Sequence, residues 1–225
     1  MYSLKNSVRY TFPVNQEATA GELSLELSLR ERKKRATRQR ISDIATALFK
    51  ERGFDQVTVA EVARAADVSA MTVFNYFPRK EDLFLDRIPE AVEMFAGAVR
   101  HRAPGEPPLT ALRRLVLQLP DQGHPLSAVG ASFPVFWQVV VDSPALRARA
   151  REGVEEVESA LATALHETAP ELPDPDLLAA LTIAAYRSVY MSTARRLMAG
   201  ERVETVAEEH RTRVGAAFDA LERMF

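Results

Sequence analysis

Between Ile41 and Asn75 the chain is punctuated into three short helical pieces, and this punctuation leaves little freedom of fold. Ile41, Ile44, Ala45, Leu48 and Phe49 recur at the i, i+3, i+4, i+7, i+8 spacing of one helix face. Gly53 stops that helix, because glycine takes the left-handed conformation after a last turn without a Cβ clash. Thr58 followed by Glu61 is a capping box, and it opens a second helix whose inward stripe is Val59, Val62, Ala63 and Ala66. Asp67-Val68 makes a turn, and Ser69 caps a third helix from Ala70 to about Asn75.

Downstream, Pro78 interrupts, and the pattern predicts a fourth helix from near Arg79 with the stripe Phe84, Ile88, Ala91, Val92 and Phe95, bent at Pro89. After the breaker-rich stretch 103–108, five more helices are predicted, at about 108–118, 128–141, 144–167, 174–199 and 203–224. Strand-like alternation occurs only near the start, in residues 22–27. A lone strand has nothing to pair with, so residues 1–28 are expected to form a flexible arm or a short helix near its end. The fold class is all-α.

The chemistry of the sequence excludes several functions. The chain of 225 residues has no cysteine, which removes disulfides, thiolate nucleophiles and cysteine-ligated zinc. His101, His124, His166 and His210 are scattered without ligand spacing, so no metal is expected. No Gly-rich phosphate loop, nucleophile elbow or carboxylate pair stands out; neither an enzyme nor a cofactor is expected. The start has no continuous apolar core, and no apolar run approaches the roughly 20 residues that span a bilayer. A cytoplasmic protein without a membrane partner is expected. Residues 29–87 hold thirteen Lys and Arg against nine Asp and Glu, while the remainder is acidic, an asymmetry that suits one end meeting phosphate.

Two short helices joined by a tight turn, the second beginning with small and polar residues, have the geometry of a DNA-reading helix-turn-helix. Val73 and Phe77 would face in, leaving Ala70, Met71, Thr72, Asn75 and Tyr76 toward a groove behind the cap Ser69. Asn75 could pair with adenine, Ala70 or Met71 could touch a thymine methyl, and the hydroxyls of Thr72 and Tyr76 could meet phosphates. Lys80, placed at the start of the next helix, and Lys34, Arg35 and Arg38 of the basic run 30–40 would add phosphate or minor-groove contacts.

The segments Ile41–Phe54, Val57–Ser69 and Thr72–Leu83 resemble, in one frame, the DNA-binding domain of the TetR family of bacterial regulators, over about residues 32–88. By position, the resemblance implies phosphate contacts from Thr58, Thr72, Tyr76 and Lys80, with base contacts around Ala70, Met71 and Asn75. Phe74 departs from the family, which often has a tyrosine there, so that hydroxyl contact is expected to be lost. Asp67 replaces the common turn glycine, and aspartate tolerates the left-handed backbone.

The resemblance further implies a division into an arm (1–28), a three-helix DNA-binding domain (29–78) and a helical ligand-binding and dimerisation domain (79–225). The implied partners are a double-stranded, pseudo-palindromic operator, a second copy of the chain and a small-molecule effector of lipophilic character that releases DNA. Met94, Leu115, Phe133, Phe136, Trp137, Tyr186 and Tyr190 are the candidates for lining its pocket, against the plainer reading that they are core. Val214, Phe218, Leu221 and Phe225 form a stripe on the last helix and are the candidates for the dimer interface. An activator of the same fold and a nonspecific architectural DNA-binding protein are the alternatives.

Overall fold

The computed structural model describes residues 29–130 and 132–225, all-α as the periodicity predicts, with no strand among the described residues. The expectations for the arm 1–28 lie outside the described residues. In order come α1 (Leu29–Arg52), α2 (Val59–Ala65), α3 (Ala70–Tyr76), a 3-10 turn (Glu81–Leu83), α4 (Ile88–Arg100), α5 (Pro108–Asp121), α6 (Phe133–Asp142), α7 (Pro144–Thr168), α8 (Pro175–Met198) and α9 (Val203–Glu222). Packing divides the chain into two compact units, Met1–Thr37 and Arg38–Phe225. The described part of the first is the start of α1, where residues 30–36 are all exposed.

Local chemistry explains the boundaries in the head formed by α1, α2 and α3. Gly53 has φ +84° after the last turn of α1, and Asp67 takes φ +52° in the turn between α2 and α3. At α2 the Thr58 hydroxyl accepts the Glu61 N–H while the Glu61 carboxylate accepts the Thr58 N–H, so both halves of the capping box are present. Ser69 accepts the Thr72 N–H at the head of α3.

The stretch after Pro78 differs from expectation. No α-helix begins at Arg79: a 3-10 turn spans Glu81–Leu83, and α4 starts only at Ile88. Pro89 therefore sits in the first turn of α4, where an N–H has no intrahelical acceptor to miss, and it starts the helix instead of bending one. Prolines occupy the first turns of α5 to α8 in the same way. The helix expected from 128 begins at Phe133, behind the turn around Ala128, whose φ is +61°.

Two large apolar clusters organise the second unit. The first joins α4, α5, α7, α8 and α9 through Phe95, Leu112, Leu161, Leu178, Tyr186 and Phe218. The second holds the head together through Ile41, Phe49, Val62, Val73 and Phe77. It continues without a break through Leu83, Phe84 and Leu85 to Val140 on α6 and Leu146 on α7.

The stripe expected at a dimer interface is largely internal. Val214, Phe218 and Leu221 are buried in the first cluster of the chain itself, and of the four only Phe225, past the end of α9, is exposed. The physical reason is that α9 spends its bulky face on the chain's own core, packing against α8 and α5, and leaves charged residues together with Ala216 and Ala220 exposed.

Candidate nucleic-acid interface and ligand cavity

In the head, α2 is anchored by buried Val62 and Ala63, and α3 by buried Val73, with Phe77 buried at its C-cap. That pinning fixes which face of α3 looks out. Ala70, Met71, Phe74 and Asn75 are exposed, while Thr72 and Tyr76 are half-buried. Met71 and Phe74, 69% and 46% exposed, are the large apolar side chains on this face.

Several residues expected to meet phosphate are already engaged. The Thr58 hydroxyl donates to Glu61 Oε2 at 2.8 Å and accepts the Glu61 N–H, so it has no proton left for a phosphate oxygen. Glu61 also accepts Arg52 Nη2 at 2.8 Å; the Thr58 N–H first, then Arg52, draw its pKa down to about 2. Ser69 and Thr72 share a hydrogen bond of 2.8 Å between their hydroxyls. Lys80 Nζ donates to the Phe54 carbonyl at 2.7 Å and lies 4.2 Å from the Phe54 ring centroid. Burial lowers its pKa against the pull of Asp55, Glu81 and Glu61.

Arg38 is not a free cation of the basic run. Its guanidinium lies 4.6 Å over the Phe77 ring at the C-cap of α3. Its Nη2 donates to the Asp86 carbonyl at 3.0 Å, and Nη1 is 3.7 Å from Asp86 Oδ2. Ser42 donates to that same oxygen at 2.7 Å. Burial nevertheless raises the Asp86 pKa, with Ser42, Arg87 and Arg38 opposing. Nothing in a single sequence pairs these three residues. Lys34 and Arg35 are exposed on α1.

Asp86 also borders a cavity of about 490 Å3. Of the residues expected to form a pocket, Met94, Phe133, Phe136, Trp137, Tyr186 and Tyr190 line it. Leu115 does not: it lies on α5 and packs against the first apolar cluster. The aromatic wall is ordered. Phe133 and Trp137 stack at 5.9 Å with an 11° interplanar angle, and Tyr190 stands edge-on to both.

Polar groups interrupt the apolar lining. The Tyr186 hydroxyl is buried without a hydrogen-bond partner, and burial raises the pKa of Tyr186 and Tyr190, keeping both protonated. His124 Nδ1 accepts the Leu126 N–H, which turns the Nε2 side toward Glu90 Oε1 at 3.3 Å. Arg87 donates to the other oxygen of Glu90 at 2.6 Å, and these partners, His124 first, lower the Glu90 pKa. A further wall, unanticipated from sequence, comes from α1 itself through Gln39, Ser42, Asp43, Thr46 and Lys50. Among the described residues no cluster of His, Asp and Glu could hold a metal ion, and no helix is long and apolar enough to cross a membrane.

Comparison with known proteins agrees with this geometry. The family model for bacterial regulatory proteins of the tetR family matches residues 41–86, the stretch from α1 through α3 to Asp86. The HTH-type transcriptional regulator TcmR of Streptomyces glaucescens is 31% identical over 164 residues, covering 72% of this chain and 73% of that protein. Among solved structures, NalD, the secondary repressor of the MexAB-OprM multidrug efflux pump in Pseudomonas aeruginosa, aligns with a TM-score of 0.53 at 18% identity, over 81% of this chain and 97% of its own. SmeT, the repressor of the Stenotrophomonas maltophilia multidrug efflux pump SmeDEF, aligns with a TM-score of 0.52 at 16% identity, over 82% and 87%. At such identities the structural likeness speaks for the fold; the relationship to TcmR carries the assignment. The chain belongs to the TetR family of bacterial transcriptional regulators.

Proposed function

We propose that the protein is a homodimeric repressor that binds a pseudo-palindromic operator and releases it when a lipophilic small molecule fills the cavity. Residues 29–78 read DNA in this scheme, and residues 79–225 hold the effector and the second copy. The observation that carries the proposal is the shared wall: α1, which packs the reading head, also borders the cavity through Ser42, Asp43 and Thr46. A ligand that needs those side chains moved favours a different placement of the head. It weakens DNA binding only by as much as it prefers that placement.

Dimerisation is supported by the outward faces of α8 and α9. Leu177, Ala184 and Ser188 on α8 and Ala216, Ala220 and Met224 along α9 and its end are exposed, with Leu181 and Met191 half-buried beside them. Small and apolar side chains let a second pair of helices approach closely, and two-fold symmetry would set two reading heads about one helical turn apart. The operator places the protein's work in the cytoplasm.

The test is fluorescence anisotropy on DNA from upstream of the protein's own gene, against a shuffled control, followed by selection from random DNA and a screen for releasing ligands. A preference of about a thousandfold or more, with two protomers per site, is the expected result. Equal binding to all sequences would establish the nonspecific architectural alternative in its place.

A further inference from the structure

The outward face of α3 is unusual for a DNA-reading surface in its lack of charge. Its sequence, Ala70-Met71-Thr72-Val73-Phe74-Asn75-Tyr76, contains no acidic and no basic residue. Guanine is most often read by a bidentate arginine or lysine, and cytosine by an acceptor carboxylate; α3 offers neither. Of its two hydroxyls, that of Thr72 bonds Ser69, and Tyr76 is half-buried against the head's core.

What remains exposed is Ala70, Met71, Phe74 and the amide of Asn75, which has no partner among the described residues. Met71 and Phe74 stand three residues apart, and so share one helix face. In the major groove the apolar feature of a base edge is the 5-methyl of thymine, and the edge matched by an asparagine amide is adenine N6 and N7. Resting on the operator-binding reading above, we propose that α3 reads an A·T core in each half-site, with Met71 and Phe74 packed on the methyl groups of adjacent thymines and Asn75 paired to an adenine. Phe74, which stands where the family often has a tyrosine, is then a specificity-determining residue.

The experiment starts from operators selected from random DNA by the full-length protein. In each half-site, thymines are replaced one at a time by uracil, which deletes the methyl and keeps every hydrogen-bonding edge. Burying one methyl corresponds to about fourfold in affinity, so two contacted positions should each lose roughly three- to fivefold when replaced, with flanking positions unaffected. The Met71→Ala/Phe74→Ala double variant should bind thymine and uracil operators equally. Met71 is 69% and Phe74 46% exposed, and neither belongs to a core cluster, so its thermal melt should fall only slightly below the parent's. Asn75→Ala should relax the preference for adenine at one position. Selected operators with G·C pairs at the centre of α3's footprint, or uracil operators bound as well as thymine ones, would overturn this inference and leave sequence-specific repression intact. Absence of any sequence preference would overturn both.

Discussion

Arg38 lies within the basic run, yet its guanidinium rests on the Phe77 ring and holds the Asp86 carbonyl, so its effect on DNA affinity should come through geometry. Arg38→Met is expected to weaken operator binding without altering its salt dependence. Lys34→Ala, which removes an exposed cation from α1 of each copy in the proposed dimer, is expected to lower the salt slope by about two. Anisotropy across a salt series separates the two, and equal slope changes would return Arg38 to the phosphate contacts. His210 makes a different prediction. Burial first, then the nearby Arg213 and Arg211, lower its pKa from 6.5 to about 4, while Nδ1 shares a hydrogen bond with Thr193 and Nε2 has no partner. A base whose folded pKa is depressed takes up its proton more readily when unfolded. Stability is therefore full above about pH 6.5 and falls as the pH drops toward 4, by about 2 kcal/mol from this group between about pH 7 and pH 5. Urea melts at the two pH values should show that loss, and His210→Gln should flatten it. Thr58 and Glu61 were legible as a pair because a capping box is a local spacing. Arg38 and Asp86 were not, because 48 residues separate them and no local rule joins them.

At the scale of elements, the helix caps were readable and the region after Pro78 was not. Phe84, Ile88 and Phe95 share an apolar period that a single helix would satisfy, but Phe84 precedes α4 and packs into the head's cluster, stacked on Phe136 at 4.8 Å. Tertiary packing, not periodicity, decided where that helix begins. The start of α4 also lies hard against α7. A Cβ built on Gly153 would stand 2.7 Å from Ile88 Cδ1 and 3.0 Å from its Cγ1, so glycine is what permits the approach. Gly153→Ala gains roughly 1 kcal/mol of helix propensity but overpacks a contact at a cost of about 1–3 kcal/mol. A net loss of about 1 kcal/mol is expected in a denaturant melt. Ile88 lies two residues from Asp86 and lines the same cavity, so under the proposed function the same variant should shift the effector concentration needed to release DNA. A melt unchanged or raised would show that Ile88 turns away freely.

For the whole molecule, fold class was legible because nearly every apolar stretch has a helical period, and six of seven pocket candidates border the cavity. The outward surface was harder to read. On α9 the bulky stripe Val214, Phe218 and Leu221 drew attention as an interface, whereas its small neighbours Ala216 and Ala220 are the ones exposed. A single sequence cannot say which apolar face a protomer keeps for itself. The same holds for the head, whose apolar cluster runs on to Val140 and Leu146. A fragment of residues 29–87 should accordingly be helical by far-UV circular dichroism yet melt without a cooperative transition, while the full chain melts sharply; a cooperative fragment would contradict this. The continuity of that cluster bears on engineering. Exchanging heads between relatives to rewire a sensor, with a junction at 78, would cut through Phe49, Phe84 and their neighbours and leave mismatched halves. Under the base-reading proposed above, new promoter specificity is better written onto Ala70, Met71, Phe74 and Asn75, the exposed side chains of α3.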